Sequence, residues 1–201
     1  MSLLELVDNQ RTDKNTVHSY LDLYQKLLVN KKYTAKNILE VGIGDGNQGI
    51  SDGGSIKLWH DFFPNATIYA LDIKPIYSVW DGIKNNTRIV LHTSCDAYNE
   101  SVFNSLFNTT IKFDFMLDDG PHSLESMIQF IRLYTQLMTD DGLLIIEDVQ
   151  SWDWIETLKY AVPHHLQKYI HVYDLRHIKN RHDDIVFTIN KGLQVTGDEN
   201  T

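Results

Sequence analysis

At 201 residues, with 42% hydrophobic and 22% charged side chains, the chain has the length and composition of one globular domain and not of a disordered polymer. A formal net charge of −9 with no dense Lys/Arg cluster argues against nucleic acid or an anionic membrane as the main partner. The only cysteine is Cys95, which rules out an intrachain disulfide and fits a reducing compartment. No apolar run approaches the roughly 18 residues that span a bilayer, and the N-terminus lacks the basic-then-apolar order of a signal peptide, so a cytoplasmic protein is expected.

Residues 2–10 and 20–29 place Leu3, Leu6 and Val7, then Leu21, Tyr24, Leu27 and Leu28, at helical spacing on either side of a polar link, residues 11–16. The spacing predicts two N-terminal helices. From Asn37 the period changes, and Ile38-Leu39-Glu40-Val41 reads as a strand that runs into Gly42, Gly44 and Gly46. After a loop over residues 47–54, Ser55 opens a predicted helix carrying Ile56, Leu58, Trp59, Phe62 and Phe63, which Pro64 ends. Residues 67–72 read as a second strand closing on Asp72, 75–83 as a helix, 88–92 as a third strand and 98–107 as a helix. A fourth strand over 112–118 delivers Asp118, Asp119, Gly120, Pro121 and His122 to a loop. Residues 123–138 form the strongest helical pattern, Asp140-Asp141-Gly142 a turn, and 143–148 a fifth strand ending in Glu147-Asp148. A helix over 152–162 and strands over 165–175 and 184–190 complete the chain.

Strands alternating with helices predict a doubly wound, mostly parallel sheet. The last two strands lack a helical pattern between them, which predicts an antiparallel last strand at the edge. We divide the chain into N-terminal helices (1–36), serving as an oligomer contact or substrate lid, a core domain (37–192) and a flexible tail (193–201).

A glycine turn directly after a strand lets backbone N–H groups approach a ligand, and an acid closing the next strand suits a ribose diol. Gly42, Gly44 and Asp72 are therefore candidate nucleotide contacts; the plainer reading of Asp72 is a solvated strand end. Neighbouring parallel strands lie about 5 Å apart, so Asp118-Asp119 and Glu147-Asp148 should face each other across one crevice. Carboxylates that close repel unless something positive lies between them, and an all-oxygen set suits a hard cation, Mg²⁺ first. His122, three residues after Asp119, is a candidate general base beside such a site and otherwise a structural residue at a helix start.

The Glu40-x-Gly-x-Gly-x-Gly turn and the reversed last strand resemble class I S-adenosylmethionine-dependent methyltransferases, which implies a seven-stranded Rossmann-like sheet. Within that class the chain resembles the metal-dependent sugar O-methyltransferases of macrolide pathways and the cephalosporin-hydroxylase-like proteins. The segments carrying this are Thr12-Asp13-Lys14 with His18 and Tyr20, Leu39-Glu40-Val41-Gly42, Gly53-Gly54-Ser55 through Trp59, Phe63-Pro64 to Asp72-Ile73, Asp118-Asp119-Gly120-x-His122, and Ile146-Glu147-Asp148. The resemblance implies S-adenosylmethionine contacts from Glu40, Gly42, Gly44, Asp72, Asp96, Ala97 and Asp118. It further implies Mg²⁺ on Asp119, Glu147 and Asp148, His122 as base, and a homo-oligomer. Asp96 could equally cap the helix ahead of Tyr98. His18, Tyr20, Trp152 and Trp154 are candidate walls of the acceptor pocket, and for the tryptophans packing of a helix face is the alternative. Pro121 and the segment 149–154 depart from the family pattern where an acceptor would be chosen. The expected activity is methyl transfer to a sugar hydroxyl; a catechol-type acceptor, which offers the same vicinal oxygens, and an NAD-dependent oxidoreductase are the alternatives.

Overall fold

The computed structural model describes residues 1–44, 53–107 and 110–193. Gly46 of the expected glycine turn, most of the expected loop over 47–54, and the expected tail past residue 193 lie outside the described residues.

In chain order the elements are α1 (Leu3–Leu6), α2 (Leu21–Leu28), β1 (Asn37–Val41), α3 (Gly54–Phe62), β2 (Thr67–Leu71), α4 (Asp81–Lys84), β3 (Ile89–His92), α5 (Glu100–Leu106), β4 (Phe113–Asp118), α6 (Leu124–Tyr134), β5 (Met138–Ile146), α7 (Ile155–Ala161), β6 (Ile170–Asp174), α8 (Arg176–Lys179) and β7 (Ile185–Asn190). The seven strands form one sheet in the order β3-β2-β1-β4-β5-β7-β6. β1 pairs in parallel with β2 and β4, and β4 with β5, whereas β7 runs antiparallel to both β5 and β6. The last strand is the reversed one, as expected, and it is inserted between β5 and the edge strand β6.

Alternation along the strands divides the core between the two faces of the sheet. Ile38, Ile68, Phe115, Leu117 and Ile145 pack with Leu3, Tyr20, Tyr24, Ile56, Trp59 and Phe62 on one side. Leu39, Val41, Met116, Leu144 and Ile146 pack with Phe103, Met127, Phe130, Tyr134 and Leu158 on the other. The N-terminal helices thus belong to the same hydrophobic layer as α3.

Several elements differ from their sequence expectation. The predicted helix over 2–10 is the single turn α1, closed at Ser2 by a capping box with Glu5. The predicted helix over 75–83 is a short 3₁₀ turn followed by α4. Asp140-Asp141-Gly142 is no turn: β5 begins at Met138 and absorbs these residues in a register shift against β4. The first half of the expected strand over 165–175 is a 3₁₀ helix after Pro163, and β6 starts only at Ile170.

Candidate active site at the C-terminal ends of β1, β4 and β5

The strand order reverses between β1 and β4, the switch point at which doubly wound sheets bind ligands beyond the carboxyl ends of their strands. Backbone hydrogen bonds fix the strand ends here: Gly42 N–H donates to Leu71 O (2.8 Å), Asp119 N–H to Val41 O (2.8 Å) and Glu147 N–H to Asp118 O (3.3 Å). Gly42 adopts φ +94°, and a Cβ at this position would lie 1.8 Å from the Asp119 carbonyl oxygen. Only glycine lets β1 turn while touching the end of β4. Asp72 braces the same turn, accepting from Ile43 N–H (2.7 Å) and Lys74 N–H (2.8 Å), so each of its oxygens already carries a backbone donor.

Beyond these ends lies a cavity of about 370 Å³ lined by residues including Ile43, Gly44, Asp119, Gly120, His122 and Asp148. His122 and Asp148 both hold the left-handed conformation, at φ 53° and 55°, which turns the chain immediately after β4 and β5. His122 directly precedes Ser123, whose hydroxyl caps α6. Its Nε2 lies 3.7 Å from Asp119 Oδ1 and 3.6 Å from Asp148 Oδ2. The ligand atoms of Asp119, His122 and Asp148 all lie within 4.8 Å of one another. Pro121 thus leaves His122 facing both acids.

The expected acid cluster is present, and much of its charge is answered from within the protein. Lys14, 1% exposed, places its ammonium 2.6 Å from Asp119 Oδ2, against Glu147 Oε1 and 4.0 Å from Glu40 Oε1. Burial alone would lower its pKa, but Asp119, Glu147 and Glu40 outweigh this and hold it well above the usual lysine value. Glu147 Oε2 accepts from the Tyr24 hydroxyl and Asp148 Oδ1 from the Tyr20 hydroxyl. Burial, with the charge of Asp119, raises the carboxyl pKa of both Glu147 and Asp148. His18 Nδ1 lies 2.7 Å from Asp184 Oδ1 and 3.1 Å from Asp148 Oδ1.

The remaining predicted residues fall around this centre. Glu40 is fully buried, its oxygens accepting from the Ser55 hydroxyl (2.7 Å) and the Trp59 indole, and burial pushes its pKa up to about 7. Asp118 accepts from the Tyr98 hydroxyl and is likewise pushed up to about 7 by burial. Asp96 is exposed after β3 and accepts from Tyr98 N–H (3.0 Å), while the cap of α5 is Asn99. Ala97 is buried beside it and accepts from the Tyr134 hydroxyl (2.8 Å). His18 and Tyr20 lie beneath the acids and not on the cavity wall. Trp152 is 46% exposed under the Arg176 guanidinium, and Trp154, directly before α7, is partly buried against the core. The wall of the cavity instead includes Asn9, Gln10, Arg11, Thr12, Asp13 and Thr16. The polar link read as a connection between helices supplies this wall, and the resemblance at Thr12-Asp13-Lys14 was its one signal.

The sheet order, with β7 reversed between β5 and β6, is the Rossmann-like fold of class I methyltransferases. The resemblance read from the sequence is also borne out: the chain is 25% identical over 144 residues to the 8-demethyl-8-alpha-L-rhamnosyl tetracenomycin-C 2'-O-methyltransferase of Streptomyces olivaceus, covering 71% of this chain and 36% of the relative. It is 26% identical over 139 residues to the mycinamicin VI 2''-O-methyltransferase of Micromonospora griseorubida, covering 69% and 33%. Among solved structures, the MycE methyltransferase of the mycinamycin pathway, in complex with Mg, S-adenosylhomocysteine (SAH) and mycinamycin VI, superposes with a TM-score of 0.75 at 21% identity, covering 100% of this chain and 57% of that one. The chain spans about a third of the length of these curated relatives. No family model matches it.

Proposed function

We propose that this chain transfers a methyl group from S-adenosylmethionine to a hydroxyl of a sugar, free, nucleotide-linked or in a glycoside, with the help of Mg²⁺. The observation that carries the reading is the convergence of Asp119, Asp148 and His122 on one cavity at the switch point of a methyltransferase fold. Its support from relatives is that they are named as O-methyltransferases, one of them of a rhamnosyl tetracenomycin, and that a structural neighbour was solved with Mg and SAH.

The residues fit both groups. Asp119 Oδ1 and Asp148 Oδ2 are hard oxygen donors facing the cavity, as a magnesium ion requires. Glu147 carries Lys14 on one oxygen and Tyr24 on the other, and a carboxylate with about four lone-pair sites keeps capacity for a third partner. For the nucleoside end, Gly42 and Gly44 bring backbone close to the crevice, Asp72 and Asp96 stand beyond β2 and β3 beside the buried Ala97, and Asp118 sits at the end of β4. Glu40 acts from below, tying β1 to α3 through Ser55 and Trp59.

When bound, Mg²⁺ would stabilise negative charge developing on a sugar oxygen and S-adenosylmethionine would supply an electrophilic methyl group. Asp119 and Asp148 would hold the cation, and His122 Nε2, facing both, would take the hydroxyl proton. The 9–16 segment closes one side of the cavity with amide, hydroxyl and charged groups, which suits an acceptor rich in hydroxyls. The N-terminal helices act as part of the site's own scaffold, and assembly into a homo-oligomer would add to this.

The test is methyl transfer from S-adenosylmethionine across a panel of sugars, sugar nucleotides and glycosides, with and without EDTA. Activity on a sugar that vanishes with chelator and returns with Mg²⁺ is expected. Full transfer in excess EDTA would sink the metal role, and thermal stabilisation by NAD but not by SAH would point to an oxidoreductase.

A further inference from the structure

We propose that Lys14, His18, Tyr20 and Tyr24 form an outer shell that fixes the three acids of the cation site, so that these four side chains position the metal ligands and do not line the acceptor pocket. The inference rests on the metal-assisted reading above. Each of the four side chains ends on one of the acids: Lys14 on Asp119 and Glu147, Tyr24 on Glu147, Tyr20 on Asp148, and His18 on Asp148 and Asp184. Their spacing explains how one short segment achieves this. Tyr20 precedes the first turn of α2 and Tyr24 follows one turn later on the same face. The rings of His18, Tyr20 and Tyr24 stack in a row, with centroids 4.9 and 5.7 Å apart, and Trp59 continues it at 6.1 Å.

Burial separates this role from contact with an acceptor. Lys14 is 1% exposed, Tyr20 and Tyr24 are 0% exposed and His18 is 5% exposed, and none of the four lines the cavity. A sugar in the cavity meets Thr12, Asp13 and Thr16, the chain positions between and beside them. Asp184 extends the shell: it is wholly buried, its Oδ1 holds the His18 ring, and that ring in turn bears on Asp148. Carboxylates that ligate a metal need such partners to fix their orientation, and removing one typically costs 10–100-fold in metal affinity.

The experiment titrates Mn²⁺ into chelator-treated wild-type protein, Tyr20→Phe, Tyr24→Phe, His18→Gln and, as a remote control, Tyr160→Phe on the exposed surface of α7, following free Mn²⁺ by EPR. Binding of SAH is measured in parallel by calorimetry. Phenylalanine keeps the ring stack and removes only the hydroxyl, and thermal melts verify that each variant is folded. The expected result is Mn²⁺ affinity about tenfold or more weaker in Tyr20→Phe and Tyr24→Phe, with Tyr160→Phe and the SAH affinity unchanged. Folded Tyr20→Phe and Tyr24→Phe variants that bind Mn²⁺ within threefold of wild type overturn the inference while leaving the metal reading intact. Wild-type protein that binds no Mn²⁺ overturns both.

Discussion

Replacing Lys14 by methionine removes the ammonium while keeping an unbranched apolar stem in a site that is 1% exposed. What remains is Asp119, Glu147 and Glu40, all of which the ammonium approaches within 4.0 Å, with Glu147 and Glu40 buried and no cation between them. Breaking a buried ion pair by deleting one partner costs about 3–5 kcal/mol, because the other charge stays behind uncompensated. For a domain of roughly 150–250 residues each kcal/mol moves Tm by about 2–4 °C, so Lys14→Met should melt roughly 6–20 °C below wild type. The assay is a thermal melt in EDTA at pH 8, where no divalent ion can substitute for the lost charge. Adding Glu147→Gln to Lys14→Met removes one orphaned carboxylate and should recover part of the loss, a non-additivity expected for groups in contact. A drop below about 3 °C for the single variant, against the 3–5 kcal/mol expected, would refute the view that Lys14 neutralises the site.

Three further outcomes follow from named contacts. Gly42→Ala puts a Cβ 1.8 Å from the Asp119 carbonyl oxygen at φ +94°, so it should lower Tm and weaken Mn²⁺ binding together; wild-type values of both would contradict the close approach of β1 and β4. His122→Ala should reduce kcat by about 10²–10⁴-fold with SAH affinity unchanged, and a kcat within fivefold of wild type would remove His122 as the base. Burial raises the Glu40 pKa from 4.5 to about 7, so its favourable contribution is present below pH 4.5 and is lost as pH rises through about 7. Chelated protein should therefore melt lower at pH 8 than at pH 5.5, and Glu40→Gln should reduce that difference, the remainder coming from Asp118, Glu147 and Asp148, which burial raises as well; an unchanged slope would rule Glu40 out as a source.

What the sequence made legible is what period and punctuation encode. Apolar runs of four to six residues marked the strands, β1 by running into glycines and β2, β4 and β5 by ending in an acid, and parallel pairing then brought Asp119, Glu147 and Asp148 together without any tertiary information. The antiparallel insertion of β7 between β5 and β6 was less legible, because order within a sheet is not carried by the pattern of a single strand. The Asp140-Asp141-Gly142 segment misled for a related reason: turn-forming residues are tolerated in a strand at a register shift, where Asp140 and Asp141 face solvent and Gly142 is buried. Lys14 was illegible in a deeper sense. Its partners lie 105 and 133 positions away, and a lysine in a polar link looks the same whether it ends in water or beneath three carboxylates. Like charges this close repel unless something positive intervenes, and the sequence pattern points only to a metal ion. A protein can meet part of that demand with its own ammonium, and the choice has a chemical consequence. Lys14 balances Glu147 and one oxygen of Asp119, while Asp119 Oδ1 and Asp148 Oδ2 remain directed at His122 and the cavity. The fixed charge thus confines the unbalanced negative potential to the side of the cluster where a divalent cation can reach both the acids and an entering hydroxyl.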